Sequence, residues 1–122
     1  MMKRAVIQVL KDLEIVSSFK RKPDLSTGPI DIFSFSTNAE MLSVLTPKRW
    51  ALIEHLQKIG PSTASGLARS LRAGAIRVKN DLAVLVDLGI VERSEGRKVF
   101  IPYVSIRADF VIRAAAYSLL PT

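Results

Sequence analysis

The side chains with the most chemical potential lie between Ala75 and Leu88. At 100° per residue, Val78, Leu82 and Leu85 gather on one side of a helix. Ile76, Asn80 and Ala83 gather opposite them, with Lys79 on one flank and Arg77 and Val84 on the other. An arginine can hydrogen-bond guanine O6 and N7, an asparagine can pair with adenine N6 and N7, and isoleucine or alanine can touch a thymine methyl, so this face suits a major groove. An amphipathic surface helix would carry the same polar groups. The outward Ile76, Ala83 and Val84, however, call for a partner, whether DNA or protein.

Charge points the same way. The chain has formal net charge +7. Residues 46–102 carry ten basic and five acidic side chains, whereas residues 1–45 carry six and five. From Thr46 to Asn80 the cations Lys48, Arg49, Lys58, Arg69, Arg72, Arg77 and Lys79 face a single acid, Glu54. Such a field steers a polyanion, although a solvated basic surface would look alike. Lys48, Arg49, Arg69 and Arg72, with the Thr63 hydroxyl, are candidate phosphate contacts flanking the third-helix face. Arg93, Arg97 and Lys98 surround the turn Ser94-Glu95-Gly96-Arg97, where a loop tip can touch phosphate or the minor groove; such contacts position rather than specify. The same hairpin could be an ordinary solvated turn.

Other chemistries find little support. With no cysteine there is no disulfide, thiolate metal site or thiol nucleophile. His55 is the one histidine, has no second ligand in view, and reads as a surface residue, so neither metal nor cofactor is expected. "GPSTASG" lacks the G-K-[ST] ending of a phosphate-binding loop, and no G-x-G-x-x-G follows a strand. An enzyme is not expected. Nor is RNA, because Trp50 and most phenylalanines fall on buried faces and offer no stacking platform.

The elements that position these residues are legible from periodicity and punctuation. Thr46 caps a first helix over residues 46–59 with Pro47 at its first position; Leu52, Leu56 and Ile59 face inward, with Trp50 and Ile53 at the margin. Gly60-Pro61 stops it. A short second helix follows from Ala64 to Leu71, capped by Ser62 or Thr63, with Leu67, Ala68 and Leu71 inward. After Arg72-Ala73-Gly74 the third helix runs from Ala75 to Leu88, and Gly89 closes it. Residues 90–93 and 98–101 read as two strands of a hairpin. Three helices and a basic hairpin make a winged helix-turn-helix.

The stretches "LTPKRWALIEHLQKIGP", "LARSL", "VKNDLAVLVDLGIVER" and "VFIPY" resemble the MarR-like winged-helix family of predicted transcriptional regulators typified by a halophile DNA-binding protein. The resemblance covers roughly residues 32–112. Its most specific element is V-x-x-D-L-x-x-L-x-x-L-G-I-V-E-R, here Val78 through Arg93. Residues 72–77, RAGAIR, are more apolar than the charged run usual in that family. The resemblance implies a sequence-specific regulator of transcription, a repressor or an antitoxin-like autoregulator that also holds a toxin. A winged helix used only for protein interaction is the alternative.

The flanking segments complete an α+β expectation: a winged helix-turn-helix at residues 46–102 with additional N-terminal (1–45) and C-terminal (103–122) strands that dimerise. Residues 5–9 read as a strand, although "AVIQVLKDLEIVSSF" also fits a helix, and residues 11–22 read as a short helix or extended turn. Lys20-Arg21-Lys22 is a solvated end or a flanking phosphate contact. Residues 23–29 form a loop, residues 30–35 a strand with one buried face, and Thr37 or Asn38 caps a helix through Leu45. Past Pro102, Ile106, Ala108, Phe110 and Ile112 alternate with polar neighbours, which favours a strand from about Ser105, with a helical tail over residues 114–120. So apolar an end must bury against the N-terminal strands or a second copy, the latter giving a homodimer with two reading helices. No apolar run is long enough to span a membrane, and a cytoplasmic protein is expected.

Overall fold

The computed structural model describes residues 3–9 and 29–110. The expectations for residues 11–22, the basic run at 20–22, nearly all of the 23–29 loop, Ile112 and the 114–120 tail lie outside the described residues. Among the described residues the fold is α+β, with four α-helices and two small sheets. In chain order the elements are β1 (Lys3–Val9), β2 (Ile30–Phe35), α1 (Asn38–Val44), α2 (Pro47–Ile59), β3 (Ser62–Thr63), α3 (Ala64–Leu71), α4 (Ala75–Leu88), β4 (Glu92–Arg93), β5 (Lys98–Phe100) and β6 (Tyr103–Ala108).

The first sheet has the order β2-β1-β6 and is parallel throughout. Parallel neighbours cannot be joined by a tight turn, so each pairing needs a crossover. The β2-to-β6 crossover carries α1 to α4 and the second sheet. The first and last described strands therefore meet: β6, the apolar strand that needed a partner, pairs with β1 in register Ala5–Ile106 and Ile7–Ala108. On β1 the alternation puts Ala5, Ile7 and Val9 fully inside. On β2 the buried side is that of Phe33 and Phe35, while Ile32 turns outward at 58% exposure.

That inner face is continuous with the helical core. Ile7, Val9 and Phe35 cluster with Met41 and Leu45 around α1, Leu52, Ile53 and Leu56 of α2, Leu67 and Ala68 of α3, and Val78, Leu82 and Leu85 of α4. Ile90, Val91 and Val99 add the second sheet to the same cluster. On α2 the burial runs through Ile53, expected at the margin, and stops before Ile59, which is 44% exposed at the last helical position. The stripe ends one turn early because the core covers only the middle of the helix.

The helix starts follow from capping. Thr37, Thr46 and Thr63 each accept a hydrogen bond from the backbone N–H three residues on, at 3.1, 3.3 and 3.0 Å. The second sheet, ordered β3-β5-β4, is antiparallel. Its hairpin strands are shorter than expected, since Ile90 and Val91 are packed into the core before pairing begins, and the two-residue β3 joins on the far edge of β5.

Gly89 joins the two halves. Its φ of 93° lets the chain leave α4 with Ile90 N–H donating back to Leu85 O at 3.1 Å. A Cβ at that position would meet Phe33 Cε1 of β2 at 3.3 Å. Tyr103, set edge-on to Phe33 with ring centroids 5.9 Å apart, donates its hydroxyl to Asp31 at 2.7 Å and lies 3.4 Å from Gly89 O. Burial, then the hydrogen bond and charge of Asp31, push this phenol well above its ordinary pKa, so it stays a donor. Replacing Gly89 by Ala should destabilise the fold by about 1–2 kcal/mol through the left-handed backbone alone. Urea unfolding should show a lower midpoint with an unchanged slope; an unchanged midpoint would mean that alanine takes this left-handed backbone without cost.

Candidate nucleic-acid interface

The candidate surface is built on α3, the turn after it and the start of α4. Thr63 opens α3 and Leu67 and Ala68 bury it, which leaves Arg69 and Ser70 outside. Arg72 ends the helix in a left-handed conformation (φ 55°), and Ala73 N–H donates to Ala68 O at 3.0 Å. Gly74 then starts α4. Unlike the three threonine-capped helices, α4 has no side-chain cap. Val78, Leu82 and Leu85 are buried as expected. Ile76, Lys79, Asn80 and Ala83 are exposed, Ile76 at 78%.

Asp81 changes the reading of two arginines. It lies on the inner side of α4 between Val78 and Leu82 and is only 8% exposed. Its carboxylate accepts from Arg49 Nε at 3.0 Å on one oxygen and from Arg77 Nη1 at 3.1 Å on the other. Arg49 also donates through Nη1 to Val44 O at 2.7 Å, so this side chain ties α2 to α4 and to the end of α1. Position alone puts Arg49 among the phosphate contacts; its guanidinium is part-buried and held by Asp81 and Val44 O, which ties it to the fold. Arg77, expected on or beside the outward face, is half-buried and drawn back toward Asp81. Counting cations without pairing them leads to both expectations. The corrective signal is in the sequence: Arg77 and Asp81 are four apart on a helix, and Asp81 stands inside the apolar stripe.

Thr63 also differs. Its hydroxyl accepts from Gly66 N–H and its backbone pairs with Lys98 across β3 and β5, so it is committed to capping and to the sheet rather than to a ligand. His55, expected on the open surface, is half-buried with Nε2 2.6 Å from Ser70 Oγ, a link between α2 and α3.

The hairpin tip closes with Ser94 N–H on Lys98 O at 2.8 Å. It turns through Gly96 (φ 75°) and Arg97 (φ 60°), and Arg93, Arg97 and Lys98 are all exposed. Among the described residues, Lys48, Arg69, Arg72, Lys79, Arg93, Arg97 and Lys98 are exposed and form no ion pair. Arg72 and Arg97 are also the two non-glycine residues with positive φ among the described residues.

A family model described as HVO_A0114 matches residues 44–108, more than half of the chain. The chain belongs to the HVO_A0114 family. The match runs from the end of α1 through β6, so the HVO_A0114 segment contains all the candidate interface residues and the Arg49–Asp81–Arg77 cluster. No curated protein and no solved structure matches the chain. Among the described residues no cluster of His, Cys, Asp and Glu could hold a metal ion, and no helix is long and apolar enough to cross a membrane.

The cluster predicts an order of stability losses. Asp81→Ala strands two cations, Arg49 the more buried of them, and should cost about 2–4 kcal/mol. Arg49→Ala should cost less than that but more than Arg77→Ala, which is half solvated and worth about 1 kcal/mol or less. Urea melts of the three variants measure it. Equal losses for the two arginines would remove Arg49 as the inner anchor.

Proposed function

We propose that α2, α3, α4 and the β4–β5 hairpin form a winged helix-turn-helix of the MarR-like kind, and that the protein is a sequence-specific double-stranded DNA-binding regulator of transcription acting as a repressor. α4 enters the major groove, and Ile76, Lys79, Asn80 and Ala83 meet the bases. Arg69, Arg72 and Lys48 contact flanking phosphate, and Arg93, Arg97 and Lys98 contact it from the wing.

One observation carries this reading. Arg72 and Arg97, both exposed and without an ion pair among the described residues, occupy backbone positions that a glycine would hold at lower cost. Strain retained at an exposed cation is accounted for when the side chain has work outside the fold. Two copies would bring two reading helices to a pseudo-palindromic site. An antitoxin-like autoregulator would hold its cognate toxin on the less basic sheet formed by the chain ends. The protein acts in the cytoplasm and needs no cofactor and no catalytic step. The protein-interaction alternative draws on the exposed Ile76, which a partner protein could also cover.

The test compares a duplex from the gene's own promoter with a scrambled duplex across ionic strength. With about six to ten phosphates neutralised by two copies, affinity should fall by roughly 10³–10⁵ between 50 and 200 mM salt. Arg72→Gly and Arg97→Gly should each raise folding stability, by up to about 1 kcal/mol, as the left-handed strain is relieved. Each should also weaken both duplexes and lower the salt slope by about one for every phosphate no longer neutralised. A shallow slope unaffected by these variants would favour the protein-interaction module.

A further inference from the structure

Resting on the DNA-binding reading above, we infer that the reading face of α4 selects an A·T step, with Ile76 seated on a thymine methyl and Asn80 bonded to a neighbouring adenine. The side chains best fitted to a G·C pair are turned away from that face, and the cation left exposed on it is Lys79. Guanine is read best by an arginine offering both guanidinium edges. Arg77 is the arginine of the first turn of α4, and its Nη1 donates to Asp81 Oδ2 at 3.1 Å, toward the buried side of the helix. Arg49 holds the other oxygen of the same carboxylate. Lys79 offers a point charge rather than a fork, and Arg72 lies outside the helix at a left-handed turn. Cytosine N4 calls for an acceptor carboxylate, but the acids of α4 are Asp81, which is buried, and Asp87, which is in the last turn.

What remains outward suits adenine and thymine. Ile76 and Asn80 are one helical turn apart on the same line, with Ala83 next along it, and all three are exposed. Ile76, at 78%, is far more exposed than the other large apolar side chains of the described residues. A thymine methyl is an apolar group at the floor of the major groove that would remove this side chain from water. Asn80 supplies the donor and acceptor pair that matches adenine N6 and N7.

The full chain should be used to enrich a randomised duplex pool, and each thymine of the winning duplex then replaced in turn by deoxyuridine, which keeps the base pair and removes the C5 methyl. The enriched core should be A·T, and one replacement should lower affinity about fourfold, the value of one methyl. Ile76→Ala should weaken the thymine duplex by a similar factor or more and become indifferent to that replacement, the signature of direct coupling. Asn80→Ala should lose roughly 5- to 150-fold on the enriched duplex and far less on the unselected pool. Both side chains are exposed, and matching thermal melts confirm that the variants fold. A G·C core whose preference disappears with Arg77→Ala, or indifference to every deoxyuridine, overturns the inference while DNA binding stands. A pool that yields no duplex bound above the unselected mixture overturns both.

Discussion

The Asp81 carboxylate is the constraint on which the rest of the surface depends. A charge this deep in a small core is tolerated only when it is paired and hydrogen-bonded on both oxygens, and it fixes its partners as firmly as they fix it. Arg49 carries the restraint from α4 to α2 and, through Val44 O, to the end of α1. A helix docked by leucines alone can roll by some degrees at small cost. One docked also by a charged hydrogen bond from another element, here Arg49 of α2, rolls at a larger cost. The roll of α4 decides which side chains meet a ligand, so the buried ion pair sets the outward line of Ile76, Asn80 and Ala83.

The other end of α4 is held differently. Gly89 lets the chain turn at once, and the absence of a Cβ lets Phe33 approach the helix end while Tyr103 and Asp31 close over it. Lys3, 3.7 Å from Asp31 and 4.0 Å from Glu92, bridges β1 to the start of the hairpin. These two ion pairs are half-exposed and worth little individually. Together with the aromatic contact they join the parallel sheet both to the helix end and to the hairpin.

Much of this is legible in the residues, for identifiable reasons. Helix ends read to within a residue because threonine before an amphipathic run and glycine after one are local signals, and Thr46, Thr63 and Gly89 behave as their chemistry requires. The inner stripe of α4 follows from periodicity alone. Long-range facts are not legible: that β1 takes β2 and β6 as parallel neighbours, or that two residues, Ser62 and Thr63, add a strand to the hairpin, depends on contacts distant in sequence. Arg49 and Arg77 mislead because position in the chain reveals a charge but not its partner. Ile59 and Ile53 exchange places because a wheel cannot say how far along a helix its neighbours reach.

What separates the structural cations from the candidate ligand-binding ones is therefore how each is held. Arg49 is part-buried, satisfied by a carboxylate and a carbonyl, and its removal is expected to weaken the fold. Arg72 and Arg97 contribute no ion pair among the described residues and sit where the backbone penalises any side chain. For Arg49 selection for stability is a sufficient explanation. For the other two stability gives no such account, since glycine would serve the backbone better. The same side chain stands against the preference of its own backbone at two separate exposed turns, which supports the proposed contact outside the fold. The chemistry of that side chain, a planar fork of donors with a fixed positive charge, suits an anion.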